Sequence, residues 1–279
     1  SVYGSIFMVA FILIRMNTHG QQLTFSPNCV QAYQNFMALR MDEGKRCLAK
    51  ETAGNPKNMM PFILINYEDL VTLTLNENPA EFKKRKPQLE RRLELLEQSD
   101  KTSPNYLLMK GLLYFQWSLI QIKYAEYWNA VWDFRKSFLL FKENQKKFPS
   151  LTYNQVFIGL QEAVMSTIPK GYKWATSILG LKGDMKQGIK RIKQYCFSNE
   201  VMFKEESQLY FIYLKNYLEN DVEGASALIK TFKLDTKNNL LFTFMAANLA
   251  LNNKNAALAE TILTNRNKVD SYMPFPMLD

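Results

Sequence analysis

Two stretches near the end of the chain decide the fold: Asp221-Val222-Glu223-Gly224-Ala225-Ser226-Ala227-Leu228-Ile229 and Asn255-Ala256-Ala257-Leu258-Ala259-Glu260-Thr261-Ile262-Leu263. They lie 34 residues apart, and their small and apolar residues coincide: Ala225 with Ala259, Leu228 with Ile262, and Ile229 with Leu263. Further upstream, Tyr210 coincides with Phe244 in the same way. A period of this length is typical of repeats built from two helices and a tight turn, with small residues where the helices touch. The pattern predicts stacked helical hairpins.

Signals for helix starts recur along the rest of the chain. Ser26-Pro27, Asn78-Pro79 and Ser103-Pro104 each offer an N-cap followed by proline at the first helical position. No Asn-Gly or Asp-Gly turn separates two alternating apolar runs, the strongest short-range signal for a strand hairpin. We predict helices at 27–38, 42–52, 59–76, 79–98, 104–122, 124–147, 153–167, 170–179, 185–197, 203–219, 222–232, 238–251 and 255–265. Because the connections are short, the predicted fold is all-α, an α-solenoid of antiparallel helical hairpins.

The segment 104–147 carries a second trace of the same repeat. Gly111 and Tyr114 fit the first helix of a tetratricopeptide-like hairpin, and the small–aromatic–small pattern of its second helix is matched by Ala130, Phe134 and Ser137. The predicted helix at 104–122 is apolar nearly all round, which indicates a position in the middle of the stack.

The two ends of the chain differ from this repeat region. Residues 1–14 carry no charge, and their apolar run at 6–14 is shorter than the roughly 20 residues that span a membrane. Thr18-His19-Gly20 offers a cleavage site, so we predict a signal peptide at 1–20. A membrane anchor and a buried helix are the alternatives, since Arg15 follows the apolar run instead of preceding it. The predicted repeat domain is 21–279, and we expect it to be truncated at its C-terminus.

Composition excludes several classes of protein. With 47% hydrophobic residues, the chain has enough apolar surface to fold, unlike a disordered protein. One histidine, and three cysteines without metal-ligand spacing, argue against a metal site and most histidine-based catalysis. The adjacent carboxylates Glu205-Glu206 and Glu68-Asp69 point about 100° apart on a helix, so they do not converge. We therefore predict no catalytic residue, no cofactor and no metal, although distant helices could still bring catalytic groups together.

The net charge of +9 includes a basic cluster, Lys83-Lys84-Arg85-Lys86 with Arg91-Arg92, that could attract phosphates or anionic lipid headgroups. Acidic residues alternate with it, namely Glu81, Glu90, Glu94 and Glu97. That alternation is typical of a solvated helix face, whereas a nucleic-acid footprint should be a one-sided basic stripe. We predict no nucleic-acid partner, and peripheral association with a membrane stays open.

Two sets of side chains are the candidate partner-binding residues. Lys110, Trp117 and Gln121 share the one partly polar side of the 104–122 helix. The second set follows a tyrosine stripe at i, i+3 and i+7: Tyr210, Tyr213 and Tyr217. Beside it runs an apolar stripe, Phe211, Leu214 and Leu218, and one of the two stripes must be core. The tyrosine stripe is better suited to recognition because its rings are amphipathic.

The segment Ile178-Leu179-Gly180-Leu181-Lys182-Gly183-Asp184-Met185-Lys186-Gln187-Gly188-Ile189 is the most distinctive in the chain. Gly180 is available for a left-handed cap before the tight turn at Gly183, Asp184 can cap the next helix, and Gly188 permits close helix approach. This turn resembles that of the tetratricopeptide repeat protein 39 and Iml2-like family. Bacterial exported tetratricopeptide proteins related to that family are more similar still, in the segments 37–45, 84–96, 143–149 and 168–174. The resemblance spans roughly residues 27–279 and implies a helical repeat protein without assigned catalytic residues.

We therefore predict a non-enzymatic scaffold of the bacterial cell envelope, periplasmic or attached to the outer membrane. It would bind a protein or peptide on a concave, net basic surface. The alternative is a carrier or receptor for a small apolar or carbohydrate ligand. That ligand would lie in a cleft lined by the aromatic residues between 114 and 174. Aromatic residues at helical spacing, however, more often pack in the core.

Overall fold

The computed structural model describes residues 21–168, 180, 183–267 and 275. Within them the chain forms fourteen helices: α1 (Pro27–Met37), α2 (Met41–Gly54), α3 (Met60–Leu64), α4 (Asn66–Asn76), α5 (Pro79–Arg85), α6 (Gln88–Glu97), α7 (Pro104–Lys123), α8 (Tyr127–Lys147), α9 (Asn154–Met165), α10 (Met185–Cys196), α11 (Lys204–Tyr217), α12 (Val222–Thr231), α13 (Leu240–Asn252) and α14 (Ala256–Thr264). These residues form no strand, only isolated β-bridges, so the all-α prediction is confirmed. The helix predicted at 170–179 and the leader predicted at 1–20 lie outside the described residues.

Three helices start at their predicted caps. In each, a side-chain oxygen accepts a hydrogen bond from a backbone N–H of the first turn: Ser26 from Cys29 at 3.3 Å, Asn78 from Ala80 at 2.9 Å and Ser103 from Asn105 at 3.2 Å. The proline that follows each cap lacks an N–H that would have no partner there anyway. The local sequence therefore fixes where α1, α5 and α7 begin.

Two of the predicted helices, 59–76 and 79–98, are each divided in two, so those predictions were wrong in length. The second is interrupted at Lys86-Pro87, because proline has no N–H for the preceding turn and its ring crowds the carbonyl four residues earlier. The first is interrupted at Ile65, where the N–H of Glu68 bonds to the carbonyl of Ile65, only three residues back. Four short helices, α3–α6, result.

Helix α7 is buried nearly all round, as its composition predicts, and contacts α4, α6 and α8. The contact with α8 is close at Gly111, where an added Cβ would lie 2.8 Å from the ring of Phe141. Ala130 and Ser137 of α8 are also buried. Small residues thus let this pair of long helices approach each other.

The glycine-rich turn shapes the contact between α9 and α10. Gly180 adopts the left-handed conformation, with φ of +56°. The carboxylate of Asp184 accepts a hydrogen bond from the N–H of Gln187 at 2.9 Å and caps α10. An added Cβ on Gly188 would lie 2.4 Å from the carbonyl oxygen of Gly159, so the two helix backbones touch. Gly183 is as tightly placed, since a Cβ added to it would lie 2.2 Å from the backbone nitrogen of Ser166.

The local geometry of the last two hairpins recurs with the sequence period. The N–H of Gly224 donates to the side chain of the N-cap Asp221 at 2.7 Å, and 34 residues later the N–H of Leu258 donates to the side chain of Asn255 at 3.0 Å. The residue before each cap, Asn220 or Lys254, has a left-handed backbone. Ala225 and Ala259 are both buried. The turn and the start of the second helix are therefore equivalent in the two hairpins.

Contacts between distant parts of the chain distinguish this fold from a strictly linear array, in which each repeat touches only its neighbours. Tyr33 of α1 and Tyr67 of α4 both donate hydrogen bonds to Glu206 of α11. Phe203, just before α11, is fully buried and packs edge-on against Phe25 at 5.8 Å. Helices α1 and α4, with Phe25 before them, therefore contact the region around α11.

Candidate functional site

An open groove of about 470 Å³ lies between α5 and α6 on one side and α7 and α8 on the other. We call it the aromatic groove. Its lining is Phe82, Lys86, Pro87, Leu89, Glu90, Leu93, Tyr114, Trp117, Gln121, Asp133 and Lys136. Two of the candidate residues on α7, Trp117 and Gln121, therefore lie together. Because the groove is a depression in the surface, a bound molecule would keep one side in contact with solvent.

The floor of the aromatic groove is apolar and fixed. Trp117 is 1% exposed, and its indole N–H donates to Asn66 Oδ1 at 2.9 Å. Phe82 stacks on Tyr124 with ring centroids 4.2 Å apart. Trp117 packs in a core cluster with Leu73 and Ile120, so this predicted binding residue supports the groove from within and offers almost no surface to a partner.

The wall formed by α7 and α8 is polar. Gln121 Nε2 donates to Asp133 Oδ2 at 2.9 Å, and Lys136 Nζ lies 3.0 Å from Asp133 Oδ1. The same ammonium lies 4.8 Å from the ring centroid of Tyr114. Because a carboxylate only accepts hydrogen bonds, Asp133 sets the orientation of the Gln121 amide. Gln121 Oε1 is left buried, and within the described residues it has no hydrogen-bond partner.

A buried ionic cluster contacts Asn66, the hydrogen-bond partner of Trp117 in the floor of the groove. Arg92 Nη1 donates to Asn66 Oδ1 at 2.7 Å and lies 2.5 Å from Asp69 Oδ2, while Arg85 Nη1 lies 2.6 Å from Asp69 Oδ1. Asp69 and Arg92 are only 3% and 6% exposed. The cluster connects α4, α5 and α6, and so holds the indole partner Asn66 in place.

The interpretation of Arg91-Arg92 as part of a solvated face was wrong for Arg92. The sequence contained the signal, because Leu89 and Leu96 lie three residues before and four residues after Arg92, on the apolar side of α6. Lys83 and Lys84, by contrast, are exposed as that interpretation predicts. The basic cluster thus divides into the buried Arg92, the partly buried Arg85 and a set of exposed residues, namely Lys83, Lys84, Lys86 and Arg91.

Lys110, the third candidate on α7, does not line the aromatic groove. Its Nζ lies 2.6 Å from Glu97 Oε1, and the same carboxylate accepts hydrogen bonds from Tyr106 and Lys101. Hydrogen bonds from Lys101, Lys110 and Tyr106 lower the pKa of Glu97 to about 2. The charge of Lys110 is therefore neutralised within the fold.

The tyrosine stripe on α11 divides between surface and core. Tyr213 and Tyr217 are 38% and 52% exposed, and their rings stack with centroids 5.6 Å apart. Asn248 Nδ2 donates to the Tyr217 hydroxyl at 3.1 Å. Tyr210 instead points inward and donates to Glu206 Oε1 at 2.5 Å. On the neighbouring stripe, Phe211 and Leu214 are buried and Leu218 is partly buried against the core.

The sequence excluded Glu206 only as a pair with Glu205, and in the structure its carboxylate is the centre of a buried cluster. Tyr67 and Tyr33 donate to Oε2 at 2.7 and 3.2 Å, and Tyr210 donates to Oε1. Burial raises the pKa of Glu206, and hydrogen bonds from the three tyrosines oppose that shift. Glu206 is 2% exposed, so its carboxylate joins α1, α4 and α11 in the interior.

The other aromatic residues expected to line a cleft are dispersed. Phe134 packs against the core, with its ring 6.4 Å from that of Phe115. Three further aromatic side chains of α8 are exposed: Tyr127, Trp128 and Trp132. Trp174 lies outside the described residues. Of this set, Tyr114 and Trp117 line the aromatic groove, together with Phe82 from α5.

Comparisons with protein-family models, with curated proteins and with solved structures found no match. The resemblance described above therefore rests on its sequence segments alone. No described group of three or more histidine, cysteine, aspartate or glutamate side chains could hold a metal ion, and the three cysteines are free and buried. Among the helices of the described ranges, none is long and apolar enough to cross a membrane.

Proposed function

We propose that this protein is a non-enzymatic scaffold that binds a peptide or protein partner in the aromatic groove. The observation that carries the proposal is Gln121 Oε1, a buried acceptor without a donor beside the apolar floor of Trp117. A buried acceptor left without a donor is costly, and rotation of the Gln121 amide toward the groove would let a backbone N–H or side-chain donor of a peptide satisfy it. An apolar side chain of the same peptide would then pack on the half-buried Leu89 and Leu93 of the lining.

The open shape of the groove favours part of a larger partner over a free small molecule. Small-molecule sites are usually concave enough to bury most of their ligand. The alternative function, a carrier of a small apolar or carbohydrate ligand, has less support because the aromatic residues of 114–174 are dispersed over several surfaces.

We also propose that the helices form an α-solenoid of tetratricopeptide-like hairpins, exported to the bacterial cell envelope. The repeat is supported by the equivalent caps at Asp221 and Asn255. Export is supported by the apolar run at 6–14 and by the family resemblance. The long-range contacts of Glu206 would then close the first helices onto the later part of the array.

The proposal is tested by crosslinking from the groove in the native host. A photo-reactive amino acid replaces Glu90, an exposed residue of the lining, and in a control protein it replaces the exposed Lys254 on the distant last hairpin. We expect one discrete protein adduct from position 90 and none from position 254. The crosslinked segment is then synthesised as a peptide, and its affinity is measured by fluorescence anisotropy.

A matched pair of glutamines identifies the role of the buried acceptor. Gln161 is also buried, donates through Nε2 to the Phe134 carbonyl at 3.0 Å and has an unpaired Oε1, but it lies outside the aromatic groove. Gln121→Leu should weaken peptide binding about tenfold, as expected for one lost hydrogen bond to a buried acceptor. Gln161→Leu should leave the affinity unchanged. Equal losses in both variants, or no adduct at position 90, would refute the proposal.

A further inference from the structure

A second surface, independent of the aromatic groove, lies on α10. Lys186, Lys190 and Lys193 recur at i, i+4 and i+7, and Phe197 follows at i+11, so the four residues share one side of the helix. The lysines are exposed, and Phe197 is 55% exposed. We call these four residues the lysine face; Val201, four residues after Phe197, is a second exposed apolar side chain, 58% exposed.

Among the described residues, the lysines of the lysine face have no ion-pair partner. Helix α10 contains no acidic residue. The nearest carboxylates along the chain already have partners, since Asp184 caps α10 and Glu200 accepts a hydrogen bond from Thr152 Oγ1 at 2.5 Å. The face therefore differs from the basic cluster around Arg85, where carboxylates are interleaved.

The opposite side of α10 holds the lysine face rigidly. Gly188 meets the backbone of α9 at Gly159, and Ile192 and Cys196 are buried in the core. On its flank, Arg191 Nε donates to Glu162 Oε2 at 2.9 Å, which fixes the rotation of the helix. The lysines and the exposed phenylalanine are thus displayed by a helix that cannot easily turn.

We propose that the lysine face docks on an anionic lipid bilayer. The ammonium groups would meet lipid phosphates, while Phe197 and Val201 enter the boundary between headgroups and acyl chains. None of these residues lines the three grooves described above, and Phe197 instead protrudes, 55% exposed, on the same side as three ammonium groups. A protein partner would need a pocket for such a side chain, whereas the lipids of a bilayer rearrange around it.

The expected strength follows from the charges. Each lysine near an anionic surface raises the partition coefficient roughly fivefold, so the three together contribute about 100-fold. The two apolar side chains supply a second, salt-insensitive contribution. Binding should therefore be reversible and should weaken steeply as salt is added.

The test is co-sedimentation of the full chain with vesicles of phosphatidylcholine, with or without phosphatidylglycerol. Because residues 1–14 are apolar, the neutral vesicles provide the baseline. The triple variant K186Q/K190Q/K193Q removes the lysine face. The matched control, K50Q/K57Q/K83Q, removes the same charge from exposed lysines elsewhere. A third variant, Phe197→Ala, tests the apolar contact.

We expect the wild type and the control variant to bind anionic vesicles with nearly equal partition coefficients. The lysine-face variant should lose about 100-fold, and Phe197→Ala should lose severalfold at every salt concentration. Equal binding to neutral and anionic vesicles, or equal losses in the two triple variants, would overturn the proposal. Absence of binding to anionic vesicles would overturn it as well. None of these results depends on the peptide affinity of the aromatic groove, so the two proposals fail separately.

Discussion

Replacing Tyr67 with phenylalanine tests whether the buried carboxylate of Glu206 joins the first helices to α11. The variant removes a 2.7 Å hydrogen bond to Oε2 and leaves the ring in place. A hydrogen bond to a charged group contributes about 1.5–3 kcal/mol, so Tyr67→Phe should lower the free energy of unfolding by roughly 2 kcal/mol. Tyr33→Phe should cost less, because that hydroxyl lies 3.2 Å from the same oxygen.

The matched control is Tyr153, whose ring packs against Phe203 in the same aromatic cluster with centroids 5.5 Å apart. No hydrogen bond from its hydroxyl to a described residue is formed, so Tyr153→Phe should change stability by less than about 0.5 kcal/mol. Urea denaturation at neutral pH, followed by circular dichroism, measures all three variants. In a Glu206→Gln background the Tyr67→Phe effect should fall to about 1 kcal/mol, because the lost bond is then neutral.

The free energy of unfolding should also depend on pH through the titration of Glu206. Because burial raises the pKa of Glu206 in the folded state, the fold binds more protons than the unfolded chain between the ordinary value of 4.5 and the raised value. The free energy of unfolding should therefore rise as pH is lowered through that window and fall as pH rises through the raised pKa. Glu206→Gln should remove this slope. The reasoning is refuted if Tyr67→Phe and Tyr153→Phe have equal effects, or if Glu206→Gln leaves the pH profile unchanged.

Three further outcomes follow from particular contacts. Gly188→Ala should lower the free energy of unfolding by about 1–3 kcal/mol, measured by thermal denaturation, because the added Cβ would meet the backbone of Gly159. The control Gly54→Ala should be neutral or stabilising, since its added Cβ would have nothing within 4 Å. Because the pKa of Glu97 is lowered to about 2, its ion pairs stabilise the fold above pH 4.5, and this stabilisation is lost as the pH falls from 4.5 to about 2. Glu97→Gln should therefore make the free energy of unfolding, measured by urea denaturation, less dependent on pH in that range. Burial raises the pKa of Cys196 to about 12, so iodoacetamide at neutral pH should label it only when the chain unfolds, as mass spectrometry can follow.

Helix positions could largely be predicted from the sequence because their signals are local. A serine or asparagine before proline fixes both the cap and the backbone angle, as at Ser26 and Ser103. The period that aligns Ala225 with Ala259 is likewise visible without any tertiary contact. The interruption at Pro87 was also visible, because a proline inside a helical pattern usually ends or kinks the helix, yet the predicted helix at 79–98 crossed it.

The polar interior could not be predicted, because its partners come from separate helices. Asp69 was judged against its neighbour Glu68, whereas its actual partners are guanidinium groups 16 and 23 residues further along the chain, at Arg85 and Arg92. Glu206 was judged against Glu205, whereas tyrosines from α1 and α4 surround it. Sequence neighbours on a helix diverge, so their spacing excludes a pair with each other but gives no information about partners from other helices.

The same distinction explains why Trp117 and Gln121 share a groove while Lys110 does not. All three lie on one side of α7, but what each one meets depends on the helix packed beside it at that level. Glu97 at the end of α6 neutralises Lys110, whereas Asp133 of α8 orients Gln121 and leaves its carbonyl oxygen unpaired. A buried acceptor without a donor is costly in the free protein, and a partner that supplies the donor removes that cost on binding. The groove is therefore a stronger candidate for recognition than the stacked tyrosines of α11, where the Tyr217 hydroxyl already accepts from Asn248.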